Sequence, residues 1–287
     1  IFTDNLRNEK LLNFENNNEE LFSIVKNHKL YEILHKSLKK NKYYKEINKK
    51  KILGLEDNYD LIINTDFNHI FMKKYFNKKI IKKYDSFAFT SIINHEKISN
   101  NVATQIFTKN GPLAFLPISK HETSIVYSIQ NQKNISKENV KELIKKYNFK
   151  YKIKNINKID SFELKSFNLR SYYYKNILAF GDLLHKIHPL AGQGFNMTVR
   201  DLEILLNIIK DKLNLGMCLD SSVNSEFEKK IKHKNFIFLN GIDLVHEFFN
   251  FERKSSNTFL SKSIQLIGKN SSVNKLFTKI ADKGILF

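Results

Sequence analysis

The sequence predicts a mixed α/β (α+β) protein, and three stretches carry that prediction. Between Asn176 and Lys212 a short apolar run, Ile177 to Phe180, ends at Gly181-Asp182; after an irregular loop, Gly192-Gln193-Gly194 opens a segment with Phe195, Val199, Leu202, Leu205, Leu206 and Ile209 at helical spacing. From Tyr84 to Ile129 the pattern alternates, with short strands at Ser86–Ile93, Ala103–Thr108, Leu113–Pro117 and Ser124–Ile129 parted by turn residues such as Asn110-Gly111-Pro112. Beyond Asn224 the chain becomes amphipathic and helical, with Phe236, Ile237, Leu239, Leu244, Val245, Phe248, Phe249 and Phe251 in its first part.

The strand, loop and helix around Gly181 to Asn196 suit an anionic or electron-rich ligand. Glycine lets the backbone come close to a bound group, and the free N–H groups and positive dipole end of a helix favour negative charge there. A carboxylate such as Asp182, at the end of a buried strand, accepts hydrogen bonds from ligand hydroxyls. Gly-x-Gly by itself is equally consistent with a packing turn that holds no ligand.

The wider string is more specific. Gly181-Asp182, His185, then His188-Pro189-Leu190-Ala191-Gly192-Gln193-Gly194-Phe195-Asn196, closed by Arg200-Asp201, resembles the second flavin-binding motif of the ubiquinone-biosynthesis hydroxylases. These belong to the FAD-dependent aromatic hydroxylases, the superfamily of para-hydroxybenzoate hydroxylase. The resemblance implies that Asp182 binds the ribityl chain of FAD, and that Pro189 to Asn196 lie along the pyrophosphate and isoalloxazine ring, with His188 and Pro189 shaping the turn beside it. Thr198 stands where the family usually has glycine. A second, shorter string, Tyr59 to Asp66, reads as a buried strand ending in a carboxylate and is similar to the family's strand closing on Ala-Asp-Gly. Asp66 matches its aspartate as a further cofactor contact, and Phe67 takes the glycine's place.

Composition bounds the remaining classes. The 287 residues are 41% hydrophobic, enough for one large or two smaller cores. A formal charge of +19 would point to nucleic acid, but the excess is almost all lysine, with arginine only at positions 7, 170, 200 and 253. Lysine, asparagine, isoleucine, phenylalanine and tyrosine are heavily used and glycine, proline and tryptophan are scarce, as expected of AT-rich coding DNA. The charge is therefore discounted, and no nucleic-acid partner is expected. Near an anionic membrane surface each lysine still contributes about 1 kcal/mol. Cys218 is a lone cysteine, which excludes a disulfide framework. His185 and His188 would need further ligands to hold a metal, and none is near in sequence, so no metal is expected.

The other elements follow from local pattern. Ile1 to Phe14 reads as a possible strand pair around Asn5 to Asn8, Leu21 to Leu38 as a helix, and Lys39 to Lys51 as a solvated lysine and asparagine run. Ser136 is an N-cap for a helix to Tyr147 with Val140, Leu143 and Ile144 on one face, and Phe162 to Tyr174 returns to extended structure. No Gly-x-Gly-x-x-Gly follows a strand anywhere, so the resemblance implies a first FAD motif upstream of Ile1 and an N-terminally truncated portion of a longer protein. It further implies that 1–83 is the remainder of an FAD-binding Rossmann-like domain, 84–175 a substrate-binding antiparallel-sheet domain, 176–220 the FAD-binding strand, loop and helix, and 221–287 a C-terminal helical region.

In that family the sheet covers the flavin and forms the wall of the aromatic pocket, a place that Phe115, Leu116 and Pro117 would take; as bare sequence they read equally as core. The closing stretch Leu276 to Phe287, with lysines among apolar residues, suits either a membrane surface or a core-packing helix. The implied activity is hydroxylation of a polyprenylated phenol in ubiquinone biosynthesis, with FAD as cofactor, O₂ activated at flavin C4a, and NAD(P)H or another reductant as electron donor. No protein residue need be a catalytic nucleophile. The expected setting is cytoplasmic and peripheral, on the inner face of the cell membrane beside other ubiquinone-biosynthesis enzymes. An FAD monooxygenase for a soluble aromatic, or a degenerate, non-catalytic assembly subunit, are the alternatives.

Overall fold

The computed structural model describes residues 1–6, 9–15, 20–47, 58–130, 135–187, 193–255 and 258–269. His188, Pro189 and Gly192, and the closing stretch after 269, lie outside the described residues. In chain order the strands are β1 (Phe2–Thr3), β2 (Ile62–Asn64), β3 (Lys79–His95), β4 (Thr104–Thr108), β5 (Gly111–Pro117), β6 (Glu122–Gln130), β7 (Ile153–Ile156), β8 (Asp160–Leu169), β9 (Tyr173–Tyr174), β10 (Ile177–Ala179) and β11 (His185–Lys186). The α-helices are α1 (Asn27–Lys39), α2 (Ile70–Tyr75), α3 (Lys137–Tyr147), α4 (Gln193–Asn214), α5 (Ser221–Ser255) and α6 (Thr258–Gly268).

The chain divides into two units. Unit 1 holds Ile1–Glu46, Asp85–Leu164 and Glu247–Lys279, and unit 2 holds Ile47–Tyr84, Lys165–His246 and Ile280–Phe287. Unit 1 is an antiparallel meander in which β4, β5, β6 and β3 are neighbours in that order, with β7 antiparallel to β3. Its alternating sequence sets its register: Phe89 opposite Tyr127 and Phe115 opposite Ile125 put one apolar face inward. At the β4–β5 hairpin Gly111 has φ +141°, which a side chain rarely adopts, and the Thr108 hydroxyl donates to the Gly111 carbonyl at 2.7 Å. Helix α3 closes the core with Val140 and Ile144, and the Ser136 hydroxyl accepts from the Asn139 amide at 3.1 Å as its cap.

One expectation changes here. Residues 1–46 belong with the antiparallel sheet, not with the stretch to Lys83, because β1 pairs in parallel with β4, Phe2 opposite Ile106. Of the amino-terminal strand pair, the described residues hold β1 and a bridge from Phe2 to Lys10; Arg7 and Asn8 lie outside them. The Asp4 carboxylate fixes this corner by accepting from the Lys109 amide at 2.8 Å and the Tyr147 hydroxyl at 3.0 Å. Burial, and then the Asp4 charge, hold that hydroxyl above the usual tyrosine range.

Unit 2 is built around β10. All three of its residues are buried, as a short continuous apolar run requires, and it lies between β2, parallel to it, and β9, antiparallel. Phe71 and Met72 of α2, Leu205 and Ile208 of α4, and Val223, Phe227 and Ile231 of α5 pack with Ile177 to Phe180, Leu183 and Leu184 as one core. Helix α4 turns only part of its apolar set inward, Leu205 being buried and Ile209 packed on the core. Its buried residues are Met197, Asp201, Leu205, Ile208 and Lys212, whereas Phe195, Val199, Leu202 and Leu206 are 42–59% exposed. Helical spacing identified an apolar stripe, but the side of the helix that meets β11 is the one carrying Asp201, bonded to His185.

Leu178, fully buried in this core, supplies a test of the arrangement. Leu178→Ala should lower unfolding free energy by about 2–5 kcal/mol, the usual cost of a cavity at such a position, measured by urea denaturation.

Candidate functional site

The parallel pairing of β2 with β10 sends two carboxylate-bearing turns out of the same end of the strands. Ile177 lies opposite Ile62 and Ala179 opposite Asn64, and the Phe180 amide donates to the Asn64 carbonyl at 2.9 Å. The chain then leaves both strands at the same end, through Thr65-Asp66 on one and Gly181-Asp182 on the other. Open sheets of this kind bind ligands outside the carboxyl ends of their strands. Asp182 is exposed and Asp66 half-buried. The Asn64 Oδ1 accepts from the Asp66 amide at 3.2 Å, while its Nδ2 is buried without a partner among the described residues.

Gly181 makes the turn after β10 with φ +67°, in the left-handed region, and begins a 3-10 turn to Leu183. Three positions on one face of α4, at i, i+4 and i+7, run along the segment from Gly181 to Ile187. A side chain begun at Gly194 would meet Ile187 Cγ1 at 3.7 Å, and one begun at Gly181 would meet Thr198 Cγ2 at 3.7 Å. The third position is Asp201, whose Oδ2 is 2.8 Å from His185 Nε2, with side chains 3% and 1% exposed. Asn235 Nδ2 of α5 donates to the same carboxylate, at 3.1 Å to Oδ2 and 3.3 Å to Oδ1. Burial, then the negative charge of Asp201, push the Tyr172 hydroxyl beside this group above the usual tyrosine range.

The predicted residues thus fall into distinct sets. Asp66, Gly181, Asp182, Gln193, Gly194, Phe195 and Asn196 all lie in unit 2; the structure gathers Gly181 with the first turns of α4 and sets Asp66 and Asp182 past the same end of two parallel strands. Gln193 begins α4 with its Oε1 buried and unpartnered among the described residues, and Phe195 and Asn196 are exposed on the first turn. Phe115, Leu116 and Pro117 lie in unit 1 on β5. Phe115 is 2% exposed and its ring lies 5.8 Å from that of Tyr151, so it is a core residue of that unit, while Leu116 and Pro117 are half-buried.

The two departures from the motif have plain structural accounts. Phe67 needs no left-handed backbone, the only such non-glycine residues described being Asp85 and Lys175, and its ring packs edge-on to Phe167 at 5.7 Å. Thr198 fits against Gly181 through its methyl group and donates its hydroxyl to the Gly194 carbonyl at 3.4 Å. His185 is committed to Asp201. Sequence reasoning passed over Asp201 as a mere motif end and missed Asn235, which lies 34 residues farther on and has no local signal.

The residues present fit a flavin nucleotide in kind. Carboxylates at the ends of adjacent parallel strands accept from hydroxyls, and the first-turn N–H groups of α4 have no acceptors within the helix and favour negative charge. Buried polar atoms without a partner among the described residues, Asn64 Nδ2 and Gln193 Oε1, stand at the same two places. A cavity of about 840 Å³ elsewhere in unit 2, bordered by Ile80, Arg170, Tyr173, Lys232, His233 and Phe236, includes none of the residues expected to bind cofactor or substrate.

The family model for squalene epoxidase matches residues 59–249, and the chain belongs to that family. The 3-demethoxyubiquinol 3-hydroxylase of Escherichia coli (strain K12) is 29% identical over 154 residues, covering 51% of this chain and 39% of that protein. The mitochondrial ubiquinone biosynthesis monooxygenase COQ6 of Drosophila melanogaster is 23% identical over 273 residues, covering 79% and 57%. These relatives are ubiquinone-biosynthesis hydroxylases, the group that the string from Gly181 to Asp201 resembles. The chain spans about 39% to 57% of the length of these relatives.

Among solved structures, p-nitrophenol 4-monooxygenase PnpA from Pseudomonas putida DLL-E4 matches with a TM-score of 0.59 at 11% identity, over 77% of this chain and 59% of that one. A variant of Klebsiella pneumoniae HpxO complexed with FAD matches with a TM-score of 0.60 at 10% identity, over 77% and 61%. At such identities the likeness is one of fold, and it fixes the fold class as mixed α/β, shared with FAD-dependent monooxygenases.

Gly181 allows a direct check of the turn. Gly181→Ala meets no steric clash but forces a side chain into the left-handed region, so stability should fall by about 1–2 kcal/mol, read as a lowered urea midpoint.

Proposed function

We propose that the protein is an FAD-dependent monooxygenase that hydroxylates the ring of a polyprenylated phenol in ubiquinone biosynthesis. The observation that carries this reading is that Asp66 and Asp182 both follow the carboxyl ends of the parallel strands β2 and β10, with Gly181 beside the first turns of α4. The names of the relatives, 3-demethoxyubiquinol 3-hydroxylase and ubiquinone biosynthesis monooxygenase, favour this substrate class.

When bound, the flavin supplies the redox chemistry with O₂ that side chains lack. The chain's own part is binding and placement. Asp182 accepts from the ribityl hydroxyls, Asp66 serves as a second acceptor, and the amides of Gln193 and Gly194 at the helix start favour negative charge on the ring. His188, Pro189 and Gly192 belong to the same proposed contact surface by sequence. Leu116 and Pro117 of β5 are proposed for the aromatic wall, which excludes water from the reacting ring. No side chain acts as a nucleophile.

The reductant in this reading is NAD(P)H or another electron donor. Among the described residues no helix is long and apolar enough to cross a membrane. A polyprenyl tail is membrane-soluble, so the reading places the enzyme peripherally on the inner face of the cell membrane, among other enzymes of the same pathway.

The purified full-length protein should show flavin absorbance, or regain it on adding FAD, and should consume O₂ and reductant faster with a prenylated phenol than with soluble benzoates. A colourless protein that FAD does not restore would overturn the flavoenzyme reading, and stimulation by benzoates alone would move the substrate to a soluble aromatic. Asp182→Ala should weaken FAD binding by about tenfold to a hundredfold, the cost of leaving ligand hydroxyls unpaired, as measured by flavin fluorescence titration. An unchanged dissociation constant would remove Asp182 from the site.

A further inference from the structure

We propose that His185, Asp201 and Asn235 form a positioning clamp that sets where the first turns of α4 stand relative to β11, and through that placement controls flavin affinity. The inference rests on the flavin reading above and assigns to three buried residues, none of which need touch the cofactor, a role in it.

The argument starts from cost. A carboxylate, an imidazole and an amide lie together where water does not reach, with Asp201 and His185 each 2% exposed and Asn235 7%. Removing such groups from water is costly, and well-packed apolar residues of similar size commonly stabilise a core as well or better. The trio is therefore poorly explained by stability alone. What it offers is direction, since a hydrogen bond weakens steeply with distance and angle whereas an apolar contact tolerates sliding.

Direction is needed at this place. The other two approaches along this face of α4, Gly194 beside Ile187 and Thr198 beside Gly181, are apolar, with room for a methyl group at each glycine. They would survive a slip of the helix along its axis, and one residue of slip moves its start by about 1.5 Å. The Asp201 to His185 bond at 2.8 Å would not. Both ends of the bond are anchored. His185 sits on β11, antiparallel to β8 with His185 opposite Asn168, and the Leu169 amide donates to the Leu184 carbonyl at 2.9 Å. Asp201 is held from its other side by Asn235 of α5. The bond spans 16 residues of sequence, and it thereby ties together the two ends of the segment that joins β11 to α4.

The partners also assign the proton on the ring: Nε2 donates to Asp201, and Nδ1 is buried without a partner among the described residues. An apolar residue in place of His185 therefore strands no group except Asp201, and an apolar residue in place of both strands only one amide of Asn235.

The experiment compares wild type, Asp201→Asn, Asn235→Ser and the double variant His185→Leu/Asp201→Leu in the full-length protein. Thermal midpoints of the apo forms and FAD dissociation constants from fluorescence quenching are both recorded. Asp201→Asn keeps an acceptor for the Nε2 proton and should bind FAD within about threefold of wild type, whereas the double variant should keep its thermal midpoint and bind about tenfold or more weakly. Asn235→Ser, which leaves the His185 bond in place but loosens Asp201, should fall between them and serves if the double variant does not fold. Folded variants that bind FAD as wild type does, or that lose affinity only in step with their thermal midpoints, would overturn the clamp and leave the flavin reading intact. A wild-type protein that binds no FAD would overturn both.

Discussion

The parallel pairing of Ile62–Asn64 with Ile177–Ala179 is the constraint on which unit 2 depends. Strand β10 is buried on every residue, so its backbone groups must be satisfied by neighbouring strands, and β2 and β9 supply them. Once β2 and β10 run in the same direction and in this register, Asp66 and Asp182 must leave at one end of the pair. The same end receives the start of α4, because Gly181 turns the chain with a left-handed backbone and β11 carries it back toward the helix. Site geometry here is a consequence of strand direction.

The first turns of α4 show how small residues and one directional bond share a task. Gly194 and Gly181 permit close approach to Ile187 and Thr198, and Asp201 adds a polar contact to His185. Phe67 and Thr198, which depart from the flavin-binding motif, are accommodated by local packing: one against Phe167, the other against Gly181. Neither forces the backbone into a conformation its side chain resists. The motif can therefore vary at these two positions while the strand ends keep their alignment.

Much of the fold was legible from local pattern. The Ser136 cap, the hairpin glycine at position 111 and the alternation in β3 to β6 are written in a few adjacent residues, and the structure realises each one. The helix opened by Gln193 and Gly194, and the buried strand before Gly181, were equally plain. Less legible was the inner face of α4. Phe195, Val199, Leu202 and Leu206 are strongly apolar and correctly spaced, yet they are exposed, while Asp201 and Lys212 are buried. Hydropathy ranks residues one at a time; burial follows from which face the glycine contacts and the His185 bond present to β11.

The sequence by itself determined the kinds of element, their order, and the strand, loop and helix that mark the flavin-binding family, because those depend on neighbours within a few residues. Only the tertiary structure decided that residues 1–46 join the antiparallel sheet, that Asp66 and Asp182 stand at one end of a parallel pair, and that Asn235 completes the Asp201 group. These facts depend on register and on contacts between residues far apart in the chain. A hydrogen bond across 34 or 105 positions leaves no local pattern, since any polar residue of suitable reach could have made it.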